Sequence, residues 1–173
     1  SGAALVEMRM YYIGRAIDLR RVLGARRAPL LVTCRRREAG GRWDKTEHER
    51  LTILRSAIAS GVDYVDLEED IAASIPRYGK TKRIVSLHNF EETHDNLEEI
   101  HARLAALAAH IVQVETMANS FADRIRMRRL LQKRKWTTIA LFMGALGTVQ
   151  PIVDFAYCSP LPFNASDKSL TTS

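Results

Sequence analysis

Six short apolar runs alternate along this chain with segments of helical periodicity, and that alternation constrains the fold more than any other feature. The runs span 3–10, 30–34, 62–68, 84–88, 110–116 and 137–142. Parallel strands need a crossover of a dozen or more residues, most often a helix. The alternation therefore predicts an α/β chain with a parallel sheet, either open and doubly wound or closed as a barrel. Ile17, Leu19, Val22 and Leu23 predict a short helix ending near Gly24. Asp44, with Glu47 three residues later, reads as a capping box. Leu51, Leu54, Ala57 and Ile58 give the next helix one apolar face, and Gly61 stops it. A weak helix over 71–75 precedes Pro76. Leu97, Ile100, Leu104 and Leu107 fall at helical spacing, the run over 110–116 alternates, and Ser120 with Asp123 caps a basic helix running to about Lys135.

Polar residues recur at the C-terminal ends of these runs: Glu7 and Arg9, Arg35, Glu68, His88, and the pair Gln113 and Glu115. In a barrel such ends converge on one mouth, whereas an open sheet groups only those beside a switch point. Convergence of these strand ends favours the barrel. Its focus is the stretch over 83–90, Arg-Ile-Val-Ser-Leu-His-Asn-Phe, which carries a histidine to the end of an apolar strand.

Composition sets the bounds. With 173 residues, 46% of them apolar, the chain buries one sizeable core and reads as a single barrel domain over 1–163, with a disordered tail over 164–173. A complete eight-fold barrel usually needs at least about 200 residues. Six strands, with a seventh near Phe155, therefore predict an incomplete barrel lacking a unit before Ser1 and its C-terminal closure. The opening residue, not a methionine, reads as that of a fragment or processed product. The longest apolar stretch, 137–149, is too short to span a bilayer and is broken by Gly144 and Gly147. No secretory signal is visible, and Cys34 and Cys158 stand outside any metal or redox spacing, so free thiols in a cytoplasmic protein are expected. The net charge of +6 is carried largely by arginine, in clusters at Arg20-Arg21, Arg26-Arg27, Arg35-Arg36-Arg37 and over 124–135. No aromatic residues interleave with these clusters as a nucleic-acid stacking surface requires. Solvated helix faces and a site for a small anionic molecule are the favoured reading.

Five motifs stand in the order and spacing of one family: Glu7-Met8-Arg9; Thr33-Cys34-Arg35 with Gly40-Gly41; Asp63-Tyr64-Val65-Asp66-Leu67-Glu68; Ser86-Leu87-His88-Asn89-Phe90; and Met143-Gly144-Ala145-Leu146-Gly147. From about 4 to 147 the chain resembles type I 3-dehydroquinate dehydratases. The resemblance implies a (β/α)8 barrel of TIM type and a carbon–oxygen lyase of the shikimate pathway, which makes aromatic amino acids. That lyase dehydrates 3-dehydroquinate to 3-dehydroshikimate through a Schiff base on a strand lysine. No metal or cofactor is implied. An imine withdraws electrons from the carbon that loses its proton, a histidine that titrates near working pH moves the protons, and arginines hold the substrate carboxylate.

Carried over residue by residue, the resemblance makes His88 the catalytic histidine and places Glu7, Arg9 and Arg35 in the substrate region. For these three, structural ion pairs at the mouth are an equal alternative. The lysine position falls on Gln113, whose amide cannot form an imine. Ala39 stands where the family has a glutamate supporting the histidine, and Gln150-Pro151 stands where it has a Ser-Arg pair. Its C-terminal Pro-Gly-Gln loop has no counterpart here. Lys80 and Lys82 precede the His88 strand, and Lys133 and Lys135 end a helix, so none is an obvious substitute. Two readings follow: a divergent dehydratase with impaired imine chemistry, or a non-catalytic relative that is a binding or regulatory module or a decayed fragment. Unpaired sheet edges predict association with a second copy.

Overall fold

The computed structural model describes residues 5–13, 17–133 and 136–143. All six runs form strands: β1 (Val6–Arg9), β2 (Leu30–Thr33), β3 (Tyr64–Glu68), β4 (Lys82–Asn89), β5 (Ile111–Met117) and β6 (Thr138–Met143). Between them lie a 3-10 turn (Met10–Tyr12) and the helices α1 (Leu19–Ala25), α2 (Glu47–Ser60), α3 (Glu69–Ala72), α4 (Leu97–Ala106) and α5 (Phe121–Lys133). Every neighbouring pair of strands is parallel, and the spatial order is the sequence order, β1 to β6. A doubly wound sheet reverses its strand order at a switch point; this one has none. The sheet also curls. Arg35, just beyond β2, reaches Glu115 on β5 at 3.4 Å, although three strand spacings would hold these strands about 14 Å apart in a flat sheet. The result is the half-barrel expected from the strand–helix alternation.

Strand period places alternate residues on opposite faces. Outward, Val32, Val65, Val85 and Val112 are fully buried against the helix layer, which contributes Leu54, Leu104 and Met127. Inward, Leu31, Tyr64, Ile84, Ile111 and Ile139 form a separate apolar layer that floors the interior. Above that floor the inward positions turn polar, and the site is built there. The expected alternation over 110–116 is corrected by burial: Ile111, Val112, Gln113 and Val114 are all buried. One face of β5 meets the helices and the other fills the interior, so no polar-out face is needed.

A second correction concerns the start of α2. The capping box is formed by Thr46 and Glu49, not by Asp44 and Glu47. The Thr46 hydroxyl accepts from the Glu49 amide at 3.3 Å, and the Glu49 carboxylate accepts from the Thr46 amide at 3.0 Å. Both pairs have the right spacing; the indole of Trp43, which donates to the Thr46 carbonyl at 3.0 Å, belongs to the arrangement that forms. Gly61 ends the helix as expected, in the left-handed region with φ of 82°. At α5, Ser120 and Asp123 cap reciprocally: Asp123 accepts from the Ser120 amide at 2.8 Å and returns its own amide to Ser120 Oγ at 3.3 Å. The expected seventh strand near Phe155, the 144–147 loop, Pro151, Cys158 and the 164–173 tail lie outside the described residues. Among the described residues no helix is long and apolar enough to cross a membrane.

Candidate functional site

His88 is the last inward-facing residue of β4, and the strand register sets it directly opposite Glu115 of β5. Its side chain is only 1% exposed, and its Nε2 lies 3.0 Å from Oε2 of Glu115. The oxygen sits off the direction of a ring N–H, so the contact is close but not a straight hydrogen bond. The ring also stacks near that of Phe90, with centroids 6.4 Å apart and planes 12° from parallel.

Glu115 is anchored from its other side. Arg35 donates through Nη1 to the same Oε2 at 3.4 Å and through Nε to Oδ2 of Asp66 at 3.0 Å. The row Asp66, Arg35, Glu115, His88 thus links four adjacent segments of the barrel mouth. Burial alone pushes the Glu115 carboxyl up, but the contacts with His88 and Arg35 outweigh it and hold the group below the usual carboxylate range. Burial lowers the Arg35 pKa, yet Asp66 and Glu115 more than reverse this, and the guanidinium stays charged.

Glu7 and Arg9 form a pair of their own at the β1 edge. Arg9 donates from Nε to Glu7 at 2.9 Å, and the Thr33 hydroxyl donates to the other Glu7 oxygen at 2.9 Å. Of the expected site residues, the structure therefore joins Arg35 to His88 through Glu115 and leaves Glu7 and Arg9 as neighbours of that row.

The loop after β2 is held by a second buried cluster. Arg50, 1% exposed, donates to the Cys34 carbonyl at 2.9 Å, binds both oxygens of Glu47, and pairs closely with Glu68. Glu68 in turn accepts from the Arg36 amide at 3.3 Å. Gly41 cannot carry a side chain, because a Cβ there would stand 2.1 Å from the Arg35 carbonyl oxygen. The loop folds back on Arg35 and borders a cleft of about 520 Å³ shared by Arg36, Glu38, Ala39, Glu68, Ser86 and His88. Ala39 thus lines the same cleft as the histidine, and its side chain carries no polar group. Glu38, the preceding residue, borders the same cleft but is exposed.

Gln113 faces inward one layer below Glu115, opposite Ser86 in the register. It is 6% exposed. Asp66 Oδ1 and Ser86 Oγ are buried nearby without a hydrogen-bond partner. Lys82 begins β4, six residues before His88 and so about 20 Å down the strand; its ammonium sits 5.6 Å from the Tyr64 ring at the floor of the interior. Lys45 lies over the Trp43 ring. Among the described residues no three His, Cys, Asp or Glu side chains are grouped to hold a metal ion. Sequence reasoning missed Glu115 as the partner of His88. Its one signal was a carboxylate two positions beyond Gln113 on the inner face, and only the register sets it against the histidine.

A family model, type I 3-dehydroquinase, matches residues 1–172. The chain belongs to this family. Within it, the chain is 33% identical over 179 residues to the chloroplastic bifunctional 3-dehydroquinate dehydratase/shikimate dehydrogenase of Arabidopsis thaliana, covering 97% of this chain and 30% of that protein. It is 32% identical over 146 residues to the 3-dehydroquinate dehydratase of Thermococcus onnurineus, covering 80% of this chain and 67% of that one. The chain thus spans under a third of the plant relative and about two thirds of the archaeal one. The Geobacillus kaustophilus 3-dehydroquinate dehydratase structure aligns with 96% of the chain and 73% of its own at a TM-score of 0.78 and 23% identity. The type I enzyme of Clostridium difficile, solved with covalently modified comenic acid, aligns with 97% of the chain and 75% of its own at 0.79 and 19%. These likenesses establish the fold: the half-barrel matches part of the type I 3-dehydroquinase barrel.

Proposed function

We propose that this type I 3-dehydroquinase-family protein keeps a mouth for a small anionic hydroxy acid of the 3-dehydroquinate kind while lacking the Schiff-base step. The supporting observation is Gln113 on the inner face of β5, at the position the resemblance gives to the lysine. An amide nitrogen shares its lone pair with the carbonyl and does not add to a ketone, so the covalent route itself is lost. No described lysine side chain lies in the mouth to replace it; the nearest along β4 is Lys82, at the far end of the strand. His88 is the proton-moving group, and Glu7, Arg9 and Arg35 are the groups that meet the carboxylate and hydroxyls of the ligand. Arg9 is the most exposed of the three, with 41% of its side chain accessible. The family's place in the shikimate pathway and a cytoplasmic setting belong to this reading.

A second reading, a barrel relative that binds without turning over, is favoured by Ala39, which offers His88 nothing from the loop. Both are tested by calorimetric titration with 3-dehydroquinate, paired with an ultraviolet assay for the conjugated product, in which residual slow turnover favours the first and none the second. Binding with no turnover supports a site without imine chemistry. Full turnover by the unaltered chain overturns that reading. Gln113→Lys alone is expected to remain at least about tenfold below an intact relative, because Pro151 still stands where the resemblance implies an arginine and one charge-assisted hydrogen bond is worth about that much. Restoration to the relative's rate in this single variant would contradict the account.

A further inference from the structure

The geometry points to Glu115 as the positioning residue of His88, a carboxylate on β5 that orients the ring in place of one from the loop after β2. Three observations carry it. The two residues are direct partners in the β4–β5 register, so their Cβ atoms are held on the same face by the sheet itself. The Nε2 to Oε2 separation is 3.0 Å, inside hydrogen-bond range. Glu115 is itself fixed by Arg35, which is fixed by Asp66, so the carboxylate is a rigid anchor.

A ring nitrogen facing a carboxylate carries the proton, because a lone pair there would face an anion. The neutral His88 therefore bears its hydrogen on Nε2 and keeps Nδ1 as the basic nitrogen. The off-line angle is corrected by a turn about the bond joining the ring to the side chain, a torsion with a broad minimum. Such contacts commonly straighten when a ligand binds. The Phe90 ring lies nearly parallel to that of His88, with centroids 6.4 Å apart. Ala39 borders the same cleft and supplies no competing acceptor. The purpose of this arrangement rests on the reading of His88 as the proton-moving group, but the pairing can be measured without any turnover.

The test uses the full chain labelled with nitrogen-15 at histidine, with His88 assigned by its loss in His88→Gln. In the neutral form of the ring the hydrogen is expected on Nε2, seen as a downfield N–H proton protected from water. Glu115→Gln replaces a charged acceptor by a neutral one, so that proton should move upfield and exchange with water about tenfold faster. Adding Ala39→Glu to this variant should recover part of the protection, since position 39 borders the same cleft. A wild-type ring with its hydrogen on Nδ1 overturns the proposal without any variant, even if Glu115→Gln fails to fold. An unchanged N–H signal in a folded Glu115→Gln protein overturns it as well. Absence of turnover with an intact Nε2–H signature leaves the pairing standing and counts only against catalysis.

Discussion

Arg50 shows at the level of one residue how the mouth is held. Its guanidinium is withdrawn from water and meets Glu47, Glu68 and the Cys34 carbonyl. Arg50→Ala would leave Glu68 with only its longer contact to Arg36 at 3.5 Å, and breaking a buried pair in this way typically costs up to about 3–5 kcal/mol. Urea unfolding should show a loss approaching that order, and a loss below about 1 kcal/mol would mean that the Arg36 contact or water compensates Glu68 fully. Glu115 gives a pH test. Its folded pKa is depressed, so its contribution is present above the unfolded value of about 4.3 and is lost as pH falls through the folded one. Moving from pH 7 to pH 4 should therefore destabilise the wild type more than Glu115→Gln. Equal losses would show that the carboxylate gains nothing from Arg35 and His88. Cys34 adds no chemistry of its own: buried against the helix layer, its thiol is pushed up to about 12 and stays protonated.

At the level of elements, the strands and helices were legible because each carries its own periodicity. Position along a strand was not enough to give the pairing across it. Glu115 was visible as a polar residue on a strand end, but nothing in the 26 residues between it and His88 states the register. Hydrogen bonding of β4 to β5 decides that. The start of α2 was ambiguous for a different reason: Asp44 with Glu47 and Thr46 with Glu49 satisfy the same spacing, and only one pair can close. Thr46→Ala should cost about 1 kcal/mol and Asp44→Ala only a few tenths; the reverse order in thermal unfolding would restore the earlier assignment. Family motifs located Arg35, His88 and Gln113 on the inner face, where the structure has them. They could not show that Arg35 is engaged by two carboxylates.

Across the whole molecule, a sequentially ordered parallel sheet curls so that inward residues from separate strands share one space. The floor of that space is apolar and its rim is charged, so the charged side chains gather at the C-terminal ends of the strands. The central claim is that this rim keeps its histidine and lacks an amine beside it. Borohydride reduction in the presence of 3-dehydroquinate, read by intact-protein mass on a sample shown to be folded by circular dichroism, tests that claim most directly. The account predicts no mass increase. A stable adduct on the folded protein would mean that a lysine reaches the ligand after all, and would return the chain to the imine-forming chemistry of its family.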